Sequence, residues 1–214
     1  MRKSREQKML KTRKRATTVV VILGTLGVTG AAQASGFGGP EYYAGVFAGS
    51  ISGTGSSHDA VGGNYNIPRT SSSTWGLLGG VAFRNGPWLL GGDLDYGIGS
   101  NRNVSSSQPN VNEFKSNLHL LGRFGYRVND FDLFLTGGYA SIKATANGAN
   151  VPGAPTANLN GYSIGVGADY TVNRQFVARL QVLQDNYSSA SLGSGYGIND
   201  WKDTSIRAAA IFQF

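Results

Sequence analysis

Acidic and basic residues in this chain recur at even spacings inside otherwise apolar runs. Asp93 and Asp95 are two apart, Lys115, His119 and Arg123 are four apart, and Asp169, Arg179 and Arg207 each stand between two apolar neighbours. In an extended chain, side chains two apart share a face. These eight groups are therefore read as one set on a common inner surface. Three kinds of chemistry suit such a set: a path for ions, acid–base catalysis, or a packed layer of ion pairs. Buried charges must be paired to offset their desolvation, and that requirement favours the third.

Catalysis and metal chemistry find little else to work with. The chain has two histidines, His58 and His119, and no cysteine. His119 falls on the inner parity and His58 in a polar stretch, so no serine, histidine and carboxylate set faces a substrate. Two histidines so far apart lack metal-ligand spacing. The glycine-rich run from Gly193 has neither the lysine nor the following helix of a phosphate loop. No catalytic residue, metal site or cofactor is expected. Outside the inner set, His58, Tyr65, Tyr196 and Trp201 lie in polar segments and are read as loop contacts, flanked by Arg69, Arg102, Lys143 and Lys202. Such groups suit the phosphates of lipopolysaccharide or a host or surface ligand.

The elements that hold the inner set are strands. Eight alternating runs are read at 42–51, 74–84, 88–98, 114–126, 131–142, 162–172, 176–187 and 205–214. The connections between them alternate long, short, long, through to a seventh that is again long. The short ones carry turn residues, Asn85-Gly86 above all. All-long and all-short ends belong to an antiparallel up-and-down barrel that crosses an outer membrane, with short turns and both termini on the periplasmic side. Strands of this length span a bilayer, which needs ~9–11 tilted residues. Trp88, Leu90, Leu94, Tyr96 and Ile98 share one face of the third strand; Tyr162, Ile164, Val166, Ala168 and Tyr170 share one face of the sixth. These faces end in aromatics and hold aliphatics between them, as a lipid-facing wall with interfacial belts requires. In the fourth strand Phe114, Leu118, Leu120, Phe124 and Tyr126 are assigned outward, opposite Lys115, His119 and Arg123. The fifth has Leu133, Leu135 and Tyr139 outward, with Phe134 leaving its parity ambiguous.

Eight strands enclose a lumen that side chains just fill. If the three-residue turn Asn173–Gln175 sets the register, Asp169 falls opposite Arg179. Asp93 or Asp95 can meet Lys115 or His119 in the same way. The lumen is thus expected to hold an ion-pair network, and a narrow small-solute channel remains the alternative.

Residues 1–34 read as a signal peptide and 35–214 as the barrel domain. A basic opening, the apolar run Val19–Val28 and the small-residue site Ala32-Gln33-Ala34 fit signal-peptidase cleavage; ten apolar residues are too few to span a membrane. Met9 offers a second start. The formal charge of +7 sits wholly in this segment, which holds eight Lys or Arg and one Glu. Residues 35–214 hold eleven basic and eleven acidic residues. A neutral barrel gives no reason to expect nucleic acid as a partner. The last strand alternates Ile206, Ala208, Ala210, Phe212 and Phe214 on one face. Phe212 and Phe214 are read as the C-terminal signal met by outer-membrane assembly machinery.

Several motifs resemble a known family. Gly79-Gly80-Val81-Ala82-Phe83 followed by Trp88-Leu89-Leu90-Gly91-Gly92-Asp93-Leu94-Asp95-Tyr96 resembles a hairpin of small OmpA-like, "porin family" outer-membrane barrels. Leu121-Gly122-Arg123-Phe124-Gly125-Tyr126, Leu135-Thr136-Gly137-Gly138-Tyr139-Ala140 and Gly165-Val166-Gly167-Ala168-Asp169-Tyr170 are similar to its later strands. The resemblance covers residues 42–214. It implies an integral, non-enzymatic outer-membrane protein with a structural, envelope-integrity or adhesion-like role, and for some similar barrels a haem-like ligand, whose axial ligand here would come from His58, Tyr65 or Tyr196. Two departures stand out: Gln181 occupies a position where such proteins often have Glu, and no peptidoglycan-binding domain follows Phe214.

Overall fold

The computed structural model describes residues 38–58, 63–98, 102–105, 110–148, 156–193 and 196–214. The segment read as a signal peptide, residues 1–34, lies outside them. The described chain is ten strands: β1 (Glu41–His58), β2 (Asn64–Asn85), β3 (Trp88–Gly97), β4 (Arg102–Ser105), β5 (Asn110–Val128), β6 (Phe131–Gly148), β7 (Thr156–Thr171), β8 (Phe176–Tyr187), β9 (Ala190–Gly193) and β10 (Tyr196–Gln213). Eight of them form the wall in the order β1-β2-β3-β5-β6-β7-β8-β10, and β10 pairs back onto β1. The short β4 and β9 pair only with β5 and β10. Closure leaves the wall without an edge within the bilayer span, and that lets a sheet sit in lipid.

The register fixes the barrel's dimensions. Its chain of paired residues runs from Tyr43 through Gly80, Asp93, Leu121, Gly138, Ser163, Asp185 and Asp203 and returns to β1 at Gly53, ten residues beyond its start. Eight strands with a stagger of ten tilt the wall by roughly 40° and give it a backbone radius of about 8 Å. No water-filled bore survives at that radius once side chains point inward.

Outward-facing residues form the belts that the alternation leads one to expect. Tyr42, Trp88, Tyr126, Phe131, Tyr170 and Phe176 are exposed near the short-turn end, and Trp75, Tyr96, Tyr139 and Tyr162 about eight residues higher. Exposed aliphatics such as Leu94, Leu120, Leu135, Val166 and Leu180 fill the space between them. Eight residues at this tilt cover about 20 Å between the ring-bearing backbones, and the rings themselves extend this toward the ~25 Å height of a lipid-facing band. No helix among the described residues is long and apolar enough to cross a membrane; the crossing is made by strands.

The turns at the short end obey local chemistry. Gly86 has φ of +56° and Asn129 also has φ of +56°, the left-handed conformation that two-residue hairpin turns require. Asn173 Oδ1 accepts hydrogen bonds from the backbone N–H groups of Gln175 and Phe176, each at 2.9 Å, and locks the turn between β7 and β8.

The long end corrects the sequence reading. In the segments taken as long polar loops, 52–73, 99–112, 143–160 and 188–203, the described residues are almost all strand; 59–62, 99–101, 106–109, 149–155 and 194–195 lie outside the described residues. β1, β2, β5, β6, β7 and β10 run well past the upper aromatics. The physical reason lies in their inner face. Ile67, Phe114, Ala140, Ile142, Ala144, Leu159, Tyr187, Ile198 and Trp201 are buried together there as one apolar cluster. Polar residues at alternate positions hid that cluster in the sequence, because half of each strand faces water.

Candidate functional site

The lumen is the site that the sequence points to, and it is built in tiers from the short-turn end. At its mouth Arg84 bridges Glu41 (Nε to Oε2, 2.9 Å) and Asp132 (Nη2 to Oδ2, 2.8 Å), and Arg127 donates to Asp132 from Nε at 2.8 Å.

Above it lies a cluster of two arginines and two aspartates. The turn at 173–175 places Asp169 opposite Arg179 in register. Arg179 binds Asp169 through Nε (2.7 Å) and Nη2 (2.9 Å), and reaches across the barrel to Asp93 Oδ1 through Nη1 (3.0 Å). Arg123 donates to Asp169 Oδ2 at 2.7 Å and lies 3.6 Å from Asp93 Oδ2. Tyr43 donates its hydroxyl to Asp93 and accepts from Arg123 Nη2 at 3.0 Å. Both guanidinium groups also sit between two rings, 5.3 and 5.6 Å from the centre of Tyr43 and 5.0 and 5.1 Å from that of Phe134. Two positive and two negative charges cancel, and every one is buried. Mutual pairing plus aromatic faces is what allows charge to persist away from water.

The next tier joins strands that are distant in sequence. Arg207 donates through Nη2 to Asp95 Oδ2 at 2.7 Å and to Gln181 Oε1 at 3.0 Å, while its plane lies 4.6 Å from the centre of the Phe47 ring. The amide of Gln181 thus accepts from a cation where a glutamate would have added a second negative charge. Higher still, His119 Nε2 lies 3.1 Å from Asp185 Oδ2, and Tyr187 donates its hydroxyl to the same oxygen at 3.3 Å. The apolar cluster comes next, with Trp201 stacked on Phe114 at 4.4 Å between ring centres and its Nε1 donating to Asp203 at 3.0 Å. Among the described residues, Asp203 is the last buried charge before the long-loop end.

Of the eight residues read as one inner set, seven are buried within the wall: Asp93, Asp95, His119, Arg123, Asp169, Arg179 and Arg207. They form three separate groups, and His119 meets Asp185 instead of Asp93 or Asp95. Lys115 is elsewhere. It is exposed and pairs with Glu113 at 3.2 Å on the outer surface. A register shift between Phe114 and Asn117 inserts an extra residue and swaps the faces. For the same reason Phe114, assigned to lipid, is fully buried inside. Phe134 is inward, and this settles the fifth strand's parity.

The four residues read as loop contacts all lie in strands: His58 in β1, Tyr65 in β2, and Tyr196 and Trp201 in β10. His58 Nδ1 is 3.2 Å from Asn199 Oδ1. Trp201 is fully buried, so it packs the upper cluster and offers no surface to a ligand. Phe212 and Phe214 stack edge to face at 5.4 Å at the barrel's lower rim, with Phe214 exposed.

Sequence reasoning missed Tyr43, Asp132, Asp185 and Asp203. Asp185 was within reach, since counting on by twos from Arg179 and Gln181 arrives at it. Asp132 shares a parity with Phe134, and that aromatic concealed it.

With this geometry established, the chain can be set beside known proteins. The family described as outer membrane protein beta-barrel domain matches residues 19–214. No curated protein sequence matches. Among solved structures, Ail, the attachment invasion locus protein of Yersinia pestis, crystallised with the heparin analogue sucrose octasulfate, is similar with a TM-score of 0.50 and 15% identity over 81% of this chain and 99% of that one. The Escherichia coli outer membrane protease OmpT gives 0.48 and 12% over 81% and 97%. Neisserial surface protein A gives 0.45 and 8% over 79% and 97%. At 15% identity the likeness to Ail speaks for the fold alone.

Proposed function

The chain belongs to the outer membrane protein beta-barrel domain family, and from that footing we propose that it is a non-conducting, non-enzymatic barrel that serves envelope integrity and surface contact. The observation that carries this reading is the filled lumen. An ion crossing it would have to part the Asp93, Arg123, Asp169 and Arg179 cluster and then the ring stack of Trp201 and Phe114. Separating buried partners costs several kcal/mol each, which is a barrier too high for passage on a useful timescale. Catalysis is disfavoured on similar grounds, because His119 and Asp185 have no exposed surface through which a substrate could reach them.

The working surface is then the part of the barrel above the upper aromatics. Its apolar core supports a stiff outer face that carries Ser50, Ser52, Ser71, Ser73, Arg69 and Lys202. Arg69 donates to Ser52 from Nη2 at 3.0 Å. Hydroxyls and cations at this level suit phosphorylated or sulfated saccharide, lipopolysaccharide included. The complex of Ail with a heparin analogue makes sulfated saccharide a sensible probe. Residues 1–34 are read as removed on export, and the strand ending in Phe212 and Phe214 as the contact for assembly machinery.

The test is to display the full chain on a laboratory Gram-negative strain and measure attachment to a heparin-coated surface together with uptake of a small hydrophilic solute. Attachment that rises with expression and falls on replacing Arg69 and Lys202 by Ser supports the reading. Unchanged attachment with faster solute uptake would replace it with a channel.

A further inference from the structure

Polar atoms inside the wall that lack a partner gather at one level, between the Arg207 tier and the stacked rings of Trp201 and Phe114. There a set of side-chain atoms, each on a residue less than a tenth exposed, meets no hydrogen-bond partner among the described residues. Three of these atoms can only accept: Asp95 Oδ1, Asn117 Oδ1 and Asp185 Oδ1. Three can only donate: Nε and Nη1 of Arg207, and Gln181 Nε2, whose amide oxygen already accepts from Arg207. The hydroxyls of Thr74 and Ser205 and the Nδ1 of His119 can do either. The register sets these groups around one ring of the wall. Asp95 lies opposite His119, Arg207 lies opposite Gln181, and Gly49 links Arg207 to Thr74. Space goes with them, because the inward positions here include Gly49, Thr74, Ala140, Ser163 and Ser205, where the cluster below holds two arginines, Tyr43 and Phe134. The wall keeps one radius, so the smaller side chains leave room between its sides.

We propose that this level is a closed binding site for a cluster of ordered water molecules, shut below by Arg207 against the Phe47 ring and above by Trp201 against Phe114. The balance of donors and acceptors commits it to that occupant. An anion would satisfy Arg207 and Gln181 but would lie against the carboxylates of Asp95 and Asp185. A cation would satisfy those carboxylates and Asn117 but would lie against the Arg207 guanidinium, and no group of three or more His, Asp or Glu among the described residues is arranged to hold a metal ion. Water both donates and accepts, so it meets the two sets at once. Leaving buried donors and acceptors bare costs more than ordering the waters that join them. At about three hydrogen bonds per buried water, some of them between waters, about four molecules satisfy the site. Gln181 has a part in this balance. A glutamate there would remove one of the three donors and add a third carboxylate, tilting the site towards a cation. The chamber goes beyond the closed-lumen reading, since it places water inside the barrel without giving ions a path.

Crystals of the mature barrel at a resolution that shows ordered water, soaked in turn in sodium bromide and rubidium chloride, test this. The expected result is water within hydrogen-bond distance of Arg207 Nε, Asp185 Oδ1 and Thr74 Oγ1, with no anomalous signal from either ion. A bromide peak beside Arg207, or a rubidium peak beside Asp95 and Asp185, would overturn water as the occupant. Side chains closed on one another with nothing between them would overturn the chamber, and a file of water running past Trp201 to bulk solvent would overturn its closure. Thr74→Val gives a second reading that needs no crystal, because it removes the hydroxyl at nearly constant volume. In a dry core, losing an unpartnered hydroxyl raises stability. In the hydrated chamber the same change strips a water of a partner, so the urea midpoint of unfolding in phospholipid vesicles should fall. A raised or unchanged midpoint overturns the proposal. Neither measurement reads conductance, so the chamber and the closed lumen can fail separately.

Discussion

Replacing Arg179 by Met tests the lumen most sharply. Methionine keeps much of the volume between the rings of Tyr43 and Phe134 but removes the charge and three hydrogen bonds, two to Asp169 and one to Asp93. The cluster's charge goes from zero to minus one. Arg123 still holds Asp169 at 2.7 Å, but it stands 3.6 Å from Asp93 and cannot neutralise both. Leaving one buried carboxylate without its partner costs about 3–5 kcal/mol. Asp169→Asn combined with Arg179→Met restores neutrality, with Asp93 and Arg123 left as a pair. That double variant should therefore be more stable than Arg179→Met alone, by roughly 2 kcal/mol, and with Asp169→Asn alone it completes a double-mutant cycle for the pair. Urea unfolding in phospholipid vesicles, followed by tryptophan fluorescence and by heat-modifiable gel mobility, measures both. A loss below about 1 kcal/mol for Arg179→Met, or a double variant no better than the single, would refute the view that charge balance inside the wall holds this tier together.

Other expectations rest on the same geometry. Trp201→Ala empties the centre of the upper cluster, and the Trp-to-Ala range of about 3–5 kcal/mol should appear as early proteolysis of the barrel's outer end while the membrane-embedded part stays protected; unchanged protease resistance would remove the cluster from the account. Lys115→Ala breaks an exposed pair with Glu113 and should cost about 1 kcal/mol or less. His119→Ala strips Asp185 of its imidazole partner and should cost about 1–3 kcal/mol by the same unfolding assay; a reversed order would contradict the face swap at residues 115–116. At the β1–β10 seam, a Cβ on Gly49 would strike the carbonyl oxygen of Ile206. Gly49→Val should therefore lower the fraction that refolds to the heat-modifiable form, and normal refolding would show that the seam tolerates side chains.

Much of the wall was legible because period two is a strong signal wherever one face meets lipid. Leu94, Tyr96, Ile164, Val166 and Tyr170 took the faces assigned to them. A short turn transmits register well, so Asp169 and Arg179 could be paired from Asn173–Gln175 alone. The same reasoning failed where geometry broke the count. A single inserted residue near Lys115 turned Phe114 inward and the lysine outward, and nothing in the local residue types announces it. Stretches rich in Ser, Asn and Gly looked like loops because their apolar partners, such as Trp201 stacked on Phe114, lie on strands far apart in sequence. Such a cluster exists only once the barrel has closed. Cross-barrel contacts such as Arg207 to Asp95, 112 residues apart, depend on the ten-residue stagger, and no short segment encodes that.

Single-channel recording of the mature barrel, refolded and inserted into a planar bilayer, bears most directly on the claim that the lumen is closed. The account predicts a silent membrane from protein that shows the folded, heat-modifiable band. Reproducible current steps whose size changes on replacing Arg123 would mean that ions pass through the cluster, and the barrel would have to be understood as a channel.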